Sequence, residues 1–302
     1  MTLRSWASRR GLRCLGCAFG ALLSSGCGGE QIVLGERNPY RFGVPTLVSE
    51  LAGGSENPSL TSDLLELYFT SARPDRTGDT GGNVWLARRS TPQSPFDAPV
   101  DLAEVNSAAF ETSAAVSTDG LTLWLGSDRP GGAGQLDVWR STRANRGAAW
   151  SAPMNVPEVN SPARDLPRPL GDHGLTMPMS SERESPERYQ TFFADRASQS
   201  AAFAQPRAIP ELAFSDRSTV DAFLTDDGLT LFFSSSKPGE PADLYLAIRS
   251  SVDAPFSAPS PLHELNTATE ERDPFLTADG STFYFVSTRD GLLNIYQATV
   301  LR

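Results

Sequence analysis

Lysine occurs once in the 302 residues, at Lys237, and histidine twice, at His173 and His263. Two histidines leave little for a histidine-ligated metal or a serine–histidine–aspartate hydrolase. The cysteines, Cys14, Cys17 and Cys27, all fall before residue 28, so whatever folds afterwards does so without disulfides. Cys14 and Cys17 have redox spacing but lie in an apolar stretch, where a redox pair has no use. The apolar run 15–23 is too short for the roughly 20 residues of a spanning helix. No phosphate-cradling loop, dinucleotide fingerprint or EF-hand loop is written anywhere. No cofactor and no metal is expected.

Glycine and proline are frequent, 25 and 23, and scattered, as many short strands joined by turns require. The N-terminus reads as a targeting segment. Arg4, Arg9, Arg10 and Arg13 precede the apolar run, and SSGC follows it. This resembles the bacterial lipobox, which implies lipidation of Cys27, although Ser24 stands where the pattern prefers an aliphatic residue. The expected organisation is a signal peptide over 1–26, a lipidated tether over 27–40 and a folded body over 41–302. Gly28, after the cysteine, leans toward the outer membrane by the usual sorting pattern. Removing residues 1–26 takes away four arginines and no acids, shifting the net charge from −10 to −14. So acidic a body argues against nucleic acid and against an anionic membrane surface as partners, leaving the lipid as the expected membrane contact.

The body is a repeat. Phe/Trp-x-x-Pro begins at Phe42, Phe96, Trp150, Phe203 and Phe256, in steps of 54, 54, 53 and 53 residues. Each copy is followed by Glu-Leu or Glu-Val: Glu50-Leu51, Glu104-Val105, Glu158-Val159, Glu211-Leu212 and Glu264-Leu265. In step runs a turn at Asp63, Asp119, His173, Asp227 and Asp279, reading Asp-Gly in three copies. Asp-Gly between apolar runs signals a hairpin, because glycine supplies the positive φ the turn needs. The strands after the turn, such as LTLWL and STFYF, do not alternate in polarity, which implies burial on both faces. Then come SARP, SDRPGG, SERE, SSKPG and STRDG, each followed by another apolar strand.

Four strands in about 53 residues make one propeller blade. The fifth unit stops at Arg302 after its third strand, and a spare FxxP strand, 42–51, sits at the other end. The fold expected is therefore all-β: a five-bladed β-propeller of four-stranded blades in which the N-terminal strand closes the last blade. The third unit departs most. His173 replaces the turn acid, and Pro178 lies inside a central strand, where it costs a ladder hydrogen bond; a bulged or specialised blade is one reading, and divergence through drift is the expected one.

The phrases STDGLTLWLGSDRPGGAGQLDVW (117–139) and ERDPFLTADGSTFYFVSTRDG (271–291) resemble the WD40-like PD40 repeat, found in the propeller of TolB and in many bacterial envelope proteins. The resemblance covers nearly all of the body. It implies a fold and an envelope setting rather than an activity. Residues 28–40 are too few for the separate N-terminal domain of TolB, so a TolB role in particular is not implied.

Each unit also carries an acid just before its innermost strand: Glu56, Glu111, Asp165, Asp221, and Glu271 with Asp273. Its closing loop carries a cation: Arg73, Arg129, Arg183, Lys237 and Arg289. Repetition at fixed spacing reads as inter-blade salt bridges and loop-fixing hydrogen bonds. The competing reading is a charged ring at one channel mouth that binds a ligand. Asp165, Asp221 and Asp273 would then be the carboxylates of a glycan-hydrolysing pocket. The function expected is a non-catalytic, envelope-anchored scaffold with a protein or peptidoglycan partner; the alternative is a glycan-binding or glycan-hydrolysing propeller.

Overall fold

The structure is a computed structural model, and it describes residues 38–75 and 81–301. Of two compact units, Met1–Val33 and Leu34–Arg302, all described residues belong to the second. The expected signal peptide, Cys27 and most of the expected tether lie outside them.

The first strands are β1 (Arg41–Phe42) and β2 (Thr46–Leu47). The first blade is β3 (Ser55–Leu60), β4 (Glu66–Ser71), β5 (Asn83–Arg88) and β6 (Val100–Asp101). The second is β7 (Glu111–Val116), β8 (Thr122–Ser127), β9 (Asp137–Thr142) and β10 (Met154–Asn155). The third is β11 (Asp165–Pro167), β12 (Thr176–Ser181), β13 (Gln190–Asp195) and β14 (Arg207–Ala208). The fourth is β15 (Ser218–Leu224), β16 (Thr230–Ser236), β17 (Asp243–Ile248) and β18 (Ser260–Pro261). The fifth supplies β19 (Glu271–Leu276), β20 (Thr282–Ser287) and β21 (Asn294–Leu301). Each blade is an antiparallel meander, and the five stand side by side in a ring, as a five-bladed β-propeller.

The ring closes with the N-terminal strands. Phe42 pairs with Val300 and Leu47 with Tyr296, so β1 and β2 form the outer edge of the fifth blade. Glu264, from the last Glu-Leu phrase, accepts the Phe42 N–H at 2.7 Å and pairs with Arg41 at 3.0 Å. Phe42 then fills the seam between the fourth and fifth blades, its ring 5.0 Å from Phe283, which lies 5.0 Å from Phe232. Burying one such ring contributes about 2–3 kcal/mol. Tyr40 lies 5.0 Å from Phe232, so the packed body starts at least one residue before 41.

The repeated phrases have physical jobs. In the Ser/Thr-x-Asp-Gly turn, Asp119, Asp227 and Asp279 each accept the hydroxyl two residues back and the N–H two residues on. The glycine that follows has φ of 66° to 73°. The aromatic of FxxP is buried in all five copies. In four of them an arginine at the end of the third strand, Arg89, Arg143, Arg196 or Arg249, stacks on it at 4.5–4.8 Å. Both β4 and β12 are buried along their whole length, which is why these strands do not alternate.

The third blade carries no bulge of the kind its Pro178 allowed for; the other four blades do. Register shifts interrupt β3, β7, β15 and β19, whereas β12 pairs without interruption through Pro178 to β13. Pro178 is tolerated because its missing N–H faces the innermost strand. That strand stops at Pro167, and only the Arg168 N–H reaches across, to the Pro178 carbonyl at 3.0 Å.

Candidate functional site

The sequence-predicted site residues separate into two sets. The first is a clamp repeated inside the blades. Glu111, at the start of β7, is fully buried and accepts from Ser107, Ser127 and Arg129, the last at 2.8 Å. Asp165 does the same with Ser161, Ser181 and Arg183 (2.6 Å), and Glu271 with Thr267, Ser287 and Arg289 (3.5 Å). Each arginine also donates to the buried carbonyl of the preceding Glu-Leu or Glu-Val phrase: Arg129 to Val105, Arg183 to Val159, Arg289 to Leu265. Arg73 reaches Leu51 O, with Ser55 where the others have an acid. The guanidinium lies 4.9–5.4 Å from the third-strand aromatic, Trp85, Trp139, Phe192 or Tyr296. These ion pairs stay within a blade and tie it to the loop that enters it. Glu111 and Asp165 bond within their blades and do not line the channel cavity described below. Lys237 is the exception, half exposed and 3.7 Å from Asp216.

The second set lies in the channel, and the bulges put it there. At each bulge one non-glycine residue takes positive φ: Asn57 at 55°, Ser113 at 55°, Asp221 at 59° and Asp273 at 53°. Asparagine and aspartate tolerate this conformation better than other side chains, which fits three of the four. The third blade has no bulge and contributes Arg168 in the segment after β11.

These five residues form one connected network. The Ser113 N–H donates to Asn57 Oδ1 at 3.1 Å, and Asn57 Nδ2 donates to Asp273 Oδ1 at 2.6 Å. Arg168 Nη1 donates to Asp273 Oδ1 at 2.9 Å, and Arg168 Nη2 pairs with Asp221. The Asp221 N–H returns to Ser180 Oγ at 3.0 Å. In this way one chain of bonds crosses from the second blade through the first and fifth to the third and fourth. All five residues are buried. They border a cavity of about 190 Å³ that also touches Glu56, Tyr189 and Arg272. Arg272 caps it, bonded to Glu56 at 2.5 Å and to Glu270 at 3.2 Å.

Burial pulls the Arg168 guanidinium below its ordinary value, while Asp273 pushes it back up. Burial also raises the Glu56 carboxyl, against the pull of Arg272. Among the described residues Arg168 Nε and Ser113 Oγ find no hydrogen-bond partner. Among the described residues no cluster of three or more His, Cys, Asp or Glu could hold a metal, and no helix is long and apolar enough to cross a membrane.

The far end of the channel is different in kind. There the innermost strands end on Leu60, Val116, Leu224 and Leu276, which with Leu170 and Phe275 line an apolar cavity of about 360 Å³. His173 sits at its rim, exposed and 3.0 Å from Asp226.

Sequence reasoning found Asp221 and Asp273 but not Arg168, Asn57 or Ser113. The usable signal was Pro167-Arg168-Pro169, a cation between two prolines where the other blades carry their bulge.

No protein-family profile matches the chain, and no curated protein does. Solved structures do resemble it. An endo-arabinase from Bacteroides thetaiotaomicron VPI-5482 superposes with a TM-score of 0.59 at 12% identity, over 87% of this chain and 98% of that one. TolB from Acinetobacter baumannii gives 0.45 at 12% identity, over 81% of this chain and 54% of that one, so the chain spans about half of its length. A putative TolB from Agrobacterium tumefaciens gives 0.49 at 13% identity, over 83% and 79%. At these identities the likeness is one of fold.

Proposed function

We propose that the protein is a non-catalytic propeller scaffold of the bacterial envelope, tethered by lipid on Cys27, that presents its loops to a protein or peptidoglycan partner. The observation that carries this reading is that Asp221 and Asp273 share one guanidinium, Arg168. Glycoside hydrolysis needs one carboxyl group to donate a proton and a second to attack or activate water. Two carboxylates engaged as acceptors of a single arginine are placed for neither task. Glu111, Asp165 and Glu271 are fully buried beneath their own arginines or hydroxyls and reach no substrate.

The second reading, a glycan-active propeller, is favoured by the similarity to an endo-arabinase and by Glu56, a cavity carboxyl that burial raises. In-cell crosslinking of tagged protein followed by mass spectrometry separates the two. The scaffold reading expects one dominant envelope protein or peptidoglycan fragments. It fails if purified protein hydrolyses a panel of arabinan and peptidoglycan substrates and Asp221→Asn or Glu56→Gln abolishes the hydrolysis. Tether and lipid are tested separately: Cys27→Ala should move the protein from the membrane fraction to the soluble envelope fraction.

A further inference from the structure

The fourth blade lacks the arginine that every other blade has, and its slot remains. In the first and fifth blades the slot is walled by a cross-strand aromatic pair, Phe69 opposite Trp85 and Phe285 opposite Tyr296, with Ser71 or Ser287 at its end. Arg73 and Arg289 enter it, each with its guanidinium carbon 4.9–5.4 Å from both ring centroids and Nε 3.0 Å from the serine Oγ. The fourth blade repeats the walls: Phe233 pairs with Tyr245, and Ser235 stands at the end. The two rings are stacked at 5.8 Å, close to the 6.0 Å of Phe285 and Tyr296.

The occupant is missing. Lys237, at the arginine position, turns outward to Asp216. Among the described residues Ser235 Oγ makes a single hydrogen bond, donating to Ser218 O at 2.8 Å, so the lone pairs that take Nε elsewhere have no donor. A cavity of about 270 Å³ stands there, lined by Phe233, Ser235 and Tyr245 with Phe214, Asp216 and Arg217 at its edge. The buried clamp acid is also gone, Thr219 standing where Glu111 and Glu271 stand. Asp216 stands exposed at the rim, where it pairs with Arg217 at 3.5 Å and with Lys237 at 3.7 Å.

We propose that this slot is a binding site for a guanidinium, the side chain of an arginine on a partner protein. The chemistry is defined by four internal copies in which an arginine fills the same position. A planar guanidinium stacks on aromatic faces and donates in-plane to a hydroxyl, which a lysine ammonium cannot do together. The site deepens the scaffold reading by naming what the partner offers, and in its partner it rests on that reading.

The test is a titration of the full protein with the tripeptide acetyl-Gly-Arg-Gly-amide, followed by NMR at Tyr245 and Ser235. Saturable shifts at both residues are expected, with the citrulline and lysine peptides at least about tenfold weaker. Lys237→Arg supplies the missing side chain from within. It should weaken peptide binding at least about tenfold and raise Tm by roughly 3 °C. No saturable shift in the wild type, equal binding of the citrulline peptide, or unchanged binding in Lys237→Arg would each overturn the site. So would binding that appears only in Arg217→Ala, because the slot would then belong to the chain's own Arg217. Crosslinking to an envelope partner, with no response to the peptide, would remove this site and leave the scaffold reading standing.

Discussion

The blade clamp and the channel network use the same groups, carboxylates and arginines, to opposite ends. The acid–arginine clamp appears in the second, third and fifth blades, and each of these copies is complete in itself: Glu111 has Arg129, Asp165 has Arg183, Glu271 has Arg289. The channel network appears once, and its members come from five blades. Arg168 alone answers two acids, from the fourth and fifth blades. A repeated contact can fail in one blade and leave its other copies standing. A shared contact has no substitute, so its loss is felt around the ring. The fourth blade adds a third case, a clamp that has lost both acid and arginine and kept its walls.

The largest effect should come from deleting residues 41–51. The fifth blade then loses its outer strand and the Phe42 seam, and no cooperative melt at the wild-type temperature is expected by calorimetry. A truncated protein that melted like the full body would break the closure. Next comes Arg168→Met, which leaves Asp221 buried without its cation and Asp273 with only Arg272 Nε, 3.8 Å away. Removing one partner of a buried ion pair costs about 3–5 kcal/mol, a fall in Tm of roughly 6–20 °C. Arg129→Met should cost less, about 2 kcal/mol, because Ser107 and Ser127 still hold Glu111. If urea denaturation put the two substitutions level, the distinction between shared and repeated contacts would fall.

The pH response sharpens the comparison at one inter-blade contact. Glu66 of the first blade is buried, which alone would raise its carboxyl, yet hydrogen bonds from Arg143 and Tyr68 outweigh burial and lower it. A depressed carboxyl stabilises above its unfolded value and loses that contribution as pH falls through the folded one. The Tm gap between wild type and Glu66→Gln should therefore be widest near neutrality and shrink below about pH 4, the ordinary glutamate range. A gap that held constant down to pH 3 would remove the ionised pair from the account. The smallest effect belongs to Arg88→Ala. Arg88 is half exposed and shares Glu66 with Arg143, so the change should stay within about 0.5 kcal/mol by denaturant titration.

Much of this architecture was legible because its signals are local. The Asp-Gly turns, the FxxP aromatics and the Glu-Leu phrases each act within one blade or one connection, so a fixed spacing in sequence becomes a fixed place in space. The closing strand was legible for the same reason: a fifth copy of FxxP stood at the wrong end of the chain. The acids were harder. Glu111 and Asp273 both lie near the start of an innermost strand, yet one is a clamp acid and the other sits two positions further in register, on a bulge. A bulge changes which way a side chain points without any mark in the period of the sequence. Aligning the acids by spacing alone merged two rows with different destinations.

The chain by itself therefore determined the number of blades with their strands and turns, because these rest on contacts within about 50 residues. It marked the closure by a repeat phrase displaced to the other end, although Phe42 and Val300 pair across the length of the body. Only the tertiary structure decided what the channel holds. Arg168 and Asp273 are 105 residues apart, and nothing in either neighbourhood specifies the other. They meet because five blades bend into one ring and the bulges aim their side chains at its centre.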